Sequence, residues 1–190
     1  MKKEGRYSWT IKITIISFFL STFISVITNL MLENVGLALA FLVLGVVVSI
    51  GIVFDIIGMS VTSTPEAPFH SMSTRGVKGS REAIVLIRNA EKVSNFCNDV
   101  IGDIVGIISG GLVTAIASII VSMWQDVKMM IVNIILAGIV ASVTIGGKAL
   151  GKGVALNKGK DIIFFAGRMI YFFKNIFKTN KNKKSEKRKR

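Results

Sequence analysis

Apolar residues in this chain gather into four long runs, covering about residues 9–32, 35–59, 100–124 and 127–146. Each reaches the roughly 20 apolar residues that a helix needs to cross the hydrocarbon of a bilayer. No stretch alternates apolar and polar residues in the two-residue period of a strand. In hydrocarbon the backbone must satisfy its polar groups within its own segment, so such runs predict helices. Only "LEN" separates the first two runs and only "WQDV" the last two. The expected fold is therefore all-α: a polytopic membrane protein with four transmembrane helices in two tight hairpins.

The segments between and after the runs have other patterns. "TSTPEAPFHSMSTRGVKG" holds both prolines, Pro65 and Pro68, and reads as irregular. "SREAIVLIRNAEKVSNF" follows, with Ser80 as a candidate N-cap and Glu82 in the first turn. There Ile84, Ile87, Ala90 (or Glu91) and Ser94 recur at helical spacing with arginines between them, which predicts a cytosolic amphipathic helix leading into the third run. Beyond the fourth run comes a basic, glycine-rich stretch, "GGKALGKGVALNKGK". The aromatic segment over residues 160–177 carries Asp161, Arg168 and Lys174, too many charges for a fifth crossing, and suits a helix lying in the membrane interface. Residues 178–190 form a basic tail expected to be disordered, with anionic lipid headgroups as its natural partner. Nucleic acid is not expected to be a partner, because the tail lacks interleaved aromatics.

Composition agrees. The chain is 51% hydrophobic with a mean hydropathy of +0.61, yet its formal net charge is +13. The basic residues are therefore concentrated outside the apolar runs. The N-terminal end carries Lys2, Lys3, Arg6 and, in the opening of the first run, Lys12, and Arg75, Lys78, Arg81, Arg88 and Lys92 lie between the second and third. Many more follow the fourth, while the two short turns hold only Glu33, Asp126 and Lys128. Positive charge stays cytoplasmic. Four crossings put all three basic regions on one side, with both termini in the cytoplasm of a cell (inner) membrane protein. The basic opening and first run could pass for a signal peptide, but the run is long and lacks a small-residue cleavage pattern, so it reads as a retained span.

Catalytic chemistry is not expected. Cys97 is the only cysteine and His70 the only histidine, so neither a disulfide nor a His/Cys metal cluster is expected. No phosphate-binding loop or paired nucleophile and base is present. The polar residues near the runs are more informative. Asp55 sits near the end of the second run, and Asn95, Asp99 and Asp103 recur every fourth residue at the start of the third. Lys148 and Lys152 follow the fourth. Charges at the edge of a span must pair, face water or bind something. Structural ion pairs and an ion site both fit. The third run also carries Gly102, Gly106, Gly110, Thr114, Ser118 and Ser122 at every fourth position. Such a stripe suits close helix packing. It also suits carbonyl exposure to a hard cation.

These motifs resemble the membrane domain of the CorB/CorC (cyclin M) magnesium transporters. The resemblance covers residues 35–177 and leaves 1–34 as an additional N-terminal span. "FDIIGMSVTS" is similar to the F-S-G-S-E-T-A-L-T-S end of the family's first span, with Gly58 in place of the glutamate. "GSREA" and "NAEKV" resemble elements of the cytosolic connection, within residues 60–98, and "IGDIVGI" resembles the I-G-N-N opening of the second span. "GKALGKGVA" resembles G-E-x-x-P-K-x-x-A, with Lys148 on the acid position and Gly151 on the proline. The resemblance implies divalent cation transport or homeostasis, with magnesium as the transported or bound ion rather than a resident cofactor, and a homodimer along small-residue faces. It makes Asp55, Ser60, Asp99, Asp103 and Gly147 the candidate metal residues. Lys148 reverses a charge there and could pair with Asp103 in the cation's place. A non-transporting scaffold or accessory subunit with a degenerate ion site is the alternative, and a lytic pore-former a third reading.

Overall fold

A computed structural model of the chain describes residues 36–124 and 126–186, together with 11, 14–19, 21–23 and 26. The described residues are helical throughout their regular structure, without strands. A short apolar helix, α1, covers Thr14–Phe23. It is followed by α2 (Leu37–Ser63), α3 (Ala67–Thr74), α4 (Ser80–Arg88) and α5 (Ala90–Asn95). A π-helical turn over Phe96–Ile101 leads into α6 (Gly102–Met123), and α7 runs over Met129–Glu186. Three helical stretches are long and apolar enough to cross a membrane: Leu37–Ser63, Ala90–Met123 and Met129–Ile176. They correspond to the second, third and fourth apolar runs. Most of the first run, and the "LEN" turn, lie outside the described residues.

The chain divides into two compact units. The first comprises Met1–Asp55 and Phe96–Gly151. Its core joins Ala40, Leu44 and Val48 of α2 to Ile104, Ile108, Leu112 and Ile116 of α6, with Leu136 of α7. These positions recur every four residues, one helical turn apart, so each helix offers a straight apolar seam. Lipid tails are as apolar as these side chains, so close fit rather than water exclusion must hold the seams together. Gly51 shows this fit: a Cβ there would lie 2.8 Å from Cγ1 of Val105. Gly147 is likewise pressed against Ile52. Hydroxyls along these helices bond back to their own backbone, as Ser49 does to Gly45 O (2.7 Å), Ser142 to Gly138 O (2.8 Å) and Thr144 to Val140 O (2.7 Å).

The second unit comprises Ile56–Asn95 and Lys152–Arg190. Val61, Phe69, Ala83, Ile84 and Ile163 form its core, with Phe69 and Ile163 fully buried. The proline-bearing stretch is irregular around Pro65 and over residues 75–79, as expected, but forms α3 between them. Pro68 stands in the first turn of α3, where its missing N–H costs nothing, and Phe69 anchors that helix in the core. Ser80 does not cap α4. Gly79, with φ +92°, takes the cap position, and the Ser80 hydroxyl donates to Val77 O at 2.6 Å. Gly79 is required twice over, because its left-handed backbone disfavours side chains and a Cβ there would lie 2.7 Å from the Arg168 Cα.

The expected single amphipathic helix is broken at Asn89 (φ −109°, ψ 28°), whose side chain donates to Val85 O at 2.8 Å. This is the competition that asparagine offers to a helix interior. Its buried face is Ser80, Ala83 and Ile84. In α7, helical backbone continues through the glycine-rich stretch, is interrupted only at Lys158 (φ −119°, ψ 18°), and reaches Glu186 inside the stretch expected to be disordered. Residues 187–190 lie outside the described residues.

Candidate functional site

In the first unit, one charge pair lies among apolar helices. Lys148 Nζ stands 3.2 Å from Asp55 Oδ1, with side chains 32% and 14% exposed. The local sequence explains the meeting. Ile52 lies one turn before Asp55 on α2, and Gly147 immediately precedes Lys148 on α7. The missing side chain at Gly147 lets the backbone of α7 press against Ile52, which brings the neighbouring lysine within reach of the carboxylate. The ammonium also lies beside α6, 3.9 Å from where a Cβ of Gly102 would stand. Lys148 therefore pairs with Asp55, and the expected pairing with Asp103 is not formed. Asp103 lies exposed in the first turn of α6.

Asp99 falls on the π-helical turn Phe96–Ile101 and is exposed. A turn closed by i→i+5 bonds does not stack residues four apart as an α-helix does, so the sequence spacing overstates how closely Asp99 and Asp103 share a face. Among the described residues no three His, Cys, Asp or Glu side chains converge as a metal-binding group. In the second unit, Ser60 is fully buried and its hydroxyl has no hydrogen-bond partner. The last turns of α2 there meet α7 closely, for a Cβ on Gly159 would collide with Thr64 Oγ1.

Two glycines of the small-residue stripe are not closely packed within the described chain. Gly106 and Gly110 have nothing within 4 Å of an added Cβ. With Gly102 they line a cavity of about 370 Å³ in the first unit, whose opposite wall is Ala137, Ala141 and Thr144 of α7. Ser109 also lines it, and its buried hydroxyl makes no hydrogen bond. Ser109 escapes a sequence reading because it stands one residue off the four-residue stripe. Gly51 escapes it too, since no pattern marks which glycine in an apolar helix will meet a neighbour.

Several charged groups of the second unit form surface links. Glu66 accepts hydrogen bonds from Arg88 Nε (2.7 Å) and His70 Nε2 (2.8 Å). Loss of hydration raises the Glu66 pKa, but the Arg88 guanidinium and His70 outweigh it and hold the carboxyl below its usual range. His70, expected in a loop, stands on α3. Lys174 lies 3.6 Å from Glu82, and Cys97 is buried.

No protein-family model matches the chain, no curated protein matches it, and no solved structure matches it.

Proposed function

We propose that this chain is a multi-span protein of the cell membrane, with both termini cytoplasmic, that works in divalent cation transport or homeostasis, magnesium being the ion its sequence motifs suggest. The observation that carries this reading is the Lys148–Asp55 pair. An acid within an apolar helix marks a place built to hold positive charge, and here the charge is the protein's own ammonium. A divalent cation competing for Asp55 must displace Lys148. Asp99, Asp103 and the carbonyl of Gly147 are further oxygen donors to a hard cation in the same unit. A homodimer across the cavity lined by Gly102, Gly106 and Gly110 belongs to this reading, because no described residue fills it.

One observation favours a second reading. The ammonium already satisfies Asp55 at 3.2 Å, which suits a non-transporting scaffold or accessory subunit with a degenerate ion site. Calorimetric titration of magnesium into the detergent-purified full chain separates the two. Saturable binding that disappears in Asp55→Asn or Asp103→Asn supports cation handling. Absence of binding in the parent, with binding in Lys148→Glu, overturns it in favour of the accessory reading.

A further inference from the structure

The part of α7 within the second unit has two unlike sides. Ala155, Gly159, Ile163 and Gly167, four residues apart, are buried. Gly167 is held tightly, since a Cβ there would lie 2.5 Å from Gly79 O and 2.8 Å from Ala83 N. Lys174 lies near that same side and reaches Glu82 of α4. These contacts fix the rotation of the helix about its axis. The opposite side then carries Phe165, Met169, Phe172, Phe173 and Ile176, at spacings of 4, 3, 1 and 3, all on one stripe. All five are exposed, Phe165 at 66% and Phe172 at 61%. At 1.5 Å per residue the stripe is about 16 Å long. A contiguous apolar strip with three phenylalanines is not left to water without a partner.

We propose that this stripe rests on an anionic lipid surface. Charge selects that occupant. From Lys152 to the C-terminus the sequence holds thirteen lysines and arginines against only Asp161 and Glu186. Basic residues beside an apolar face are drawn to anionic headgroups, with the apolar face sunk at the boundary with the acyl chains. The chain enters this segment, after a break at Lys158, from an apolar helical stretch long enough to cross a membrane, so a bilayer is the surface its membrane-spanning reading supplies. The inference rests on the membrane-spanning reading but not on cation handling. It identifies the face of the helix that meets lipid, which the sequence leaves open because Ile162, Ile163, Phe164 and Ile170 are apolar too.

The test uses the full chain with Trp9 and Trp124 replaced by Phe, reconstituted into phosphatidylglycerol vesicles, with Phe172→Trp or, in a second variant, Phe165→Trp as probe. Lipids brominated near the headgroup or deep in the tail act as quenchers. The expected result is blue-shifted emission that shallow bromines largely quench at 172 and 165. Tyr171→Trp, on another side of the helix, should lose far less, and quenching at 172 should weaken in phosphatidylcholine vesicles. Red-shifted, unquenched emission at 172 overturns the inference, as does blue-shifted but unquenched emission, the mark of a protein partner or second copy. Equal, deep quenching at 171 and 172 overturns it in favour of a further span. Flotation keeps the two readings apart: a chain that does not float with vesicles sinks the spanning reading, while one that floats unquenched sinks only the lipid-facing stripe.

Discussion

The two units differ in how they use charge between helices. In both, hydroxyls turn back on nearby backbone, at Ser49, Thr114, Ser122, Ser142 and Thr144 in the first and at Thr62, Ser71, Thr74 and Ser80 in the second. The second adds exposed charged links between helices: Arg88 of α4 to Glu66 at the start of α3, and Lys174 of α7 to Glu82 of α4. The difference follows from the surroundings each suits. A helix facing hydrocarbon must satisfy each polar group locally, while water tolerates mobile charges at low net gain. The same helices, α2 and α7, contribute to both units, so the contrast is set by the residues at each level and not by the type of element. Lys148–Asp55 breaks the pattern, as a charged link between helices inside the unit that otherwise avoids them.

Removing that exception should have the largest effect. Lys148→Met leaves Asp55 without its counter-charge among apolar helices and should cost about 3 kcal/mol of stability, read by denaturant unfolding in detergent micelles. The double variant Lys148→Met with Asp55→Leu should recover most of the loss. If Lys148→Met alone is neutral, the pair is not a structural exception. In the second unit, Gly167→Val forces a side chain onto the backbone of Gly79 and Ala83, which cannot swing aside. The expected loss is about 2 kcal/mol, visible as faster proteolysis or hydrogen exchange of α3 and α4.

Gly106→Ala sharpens the comparison from the first unit. With nothing within 4 Å of the new methyl, the monomer should be unharmed, or more stable by about 0.5–1 kcal/mol from helix propensity. A dimer across the cavity would be weakened by the same change, which crosslinking in vesicles would reveal. The smallest effect concerns Glu66. Its carboxyl is held below the usual range, so the stability from its links is fully present above the unfolded-state pKa and fades as pH falls through the lower folded value. Protection of α3 against hydrogen exchange should weaken across that acidic window in the parent, and Glu66→Gln should abolish the dependence.

Much of the fold was legible as pattern. Runs of twenty apolar residues mark a helix whatever its neighbours, because length against bilayer thickness and backbone satisfaction are local conditions. Three of the four runs reappear as long apolar helices for that reason. Locally plausible signals also misled. Two prolines suggested a loop, which holds at Pro65 but not at Pro68, where a helix begins, and Ser80 resembled a cap although Gly79 occupies that position. In both places tertiary contact overrode the local sign: Phe69 needed a buried seat, and the Arg168 backbone came too close for any residue but glycine.

The candidate site shows the same division. The sequence by itself determined that acids and lysines stand at the ends of apolar runs, because composition and order are all that such a statement requires. It also determined the surplus of positive charge after the last run. Only the tertiary structure decided that Lys148 answers Asp55 rather than Asp103, that Gly102, Gly106 and Gly110 line a cavity rather than a packed seam, and which side of α7 is left bare. Partner choice between residues nearly a hundred positions apart depends on helix rotation and axial offset. Those are set by the sum of many close contacts, such as Gly147 on Ile52 and Gly167 on Gly79, and no single stretch of sequence carries that sum.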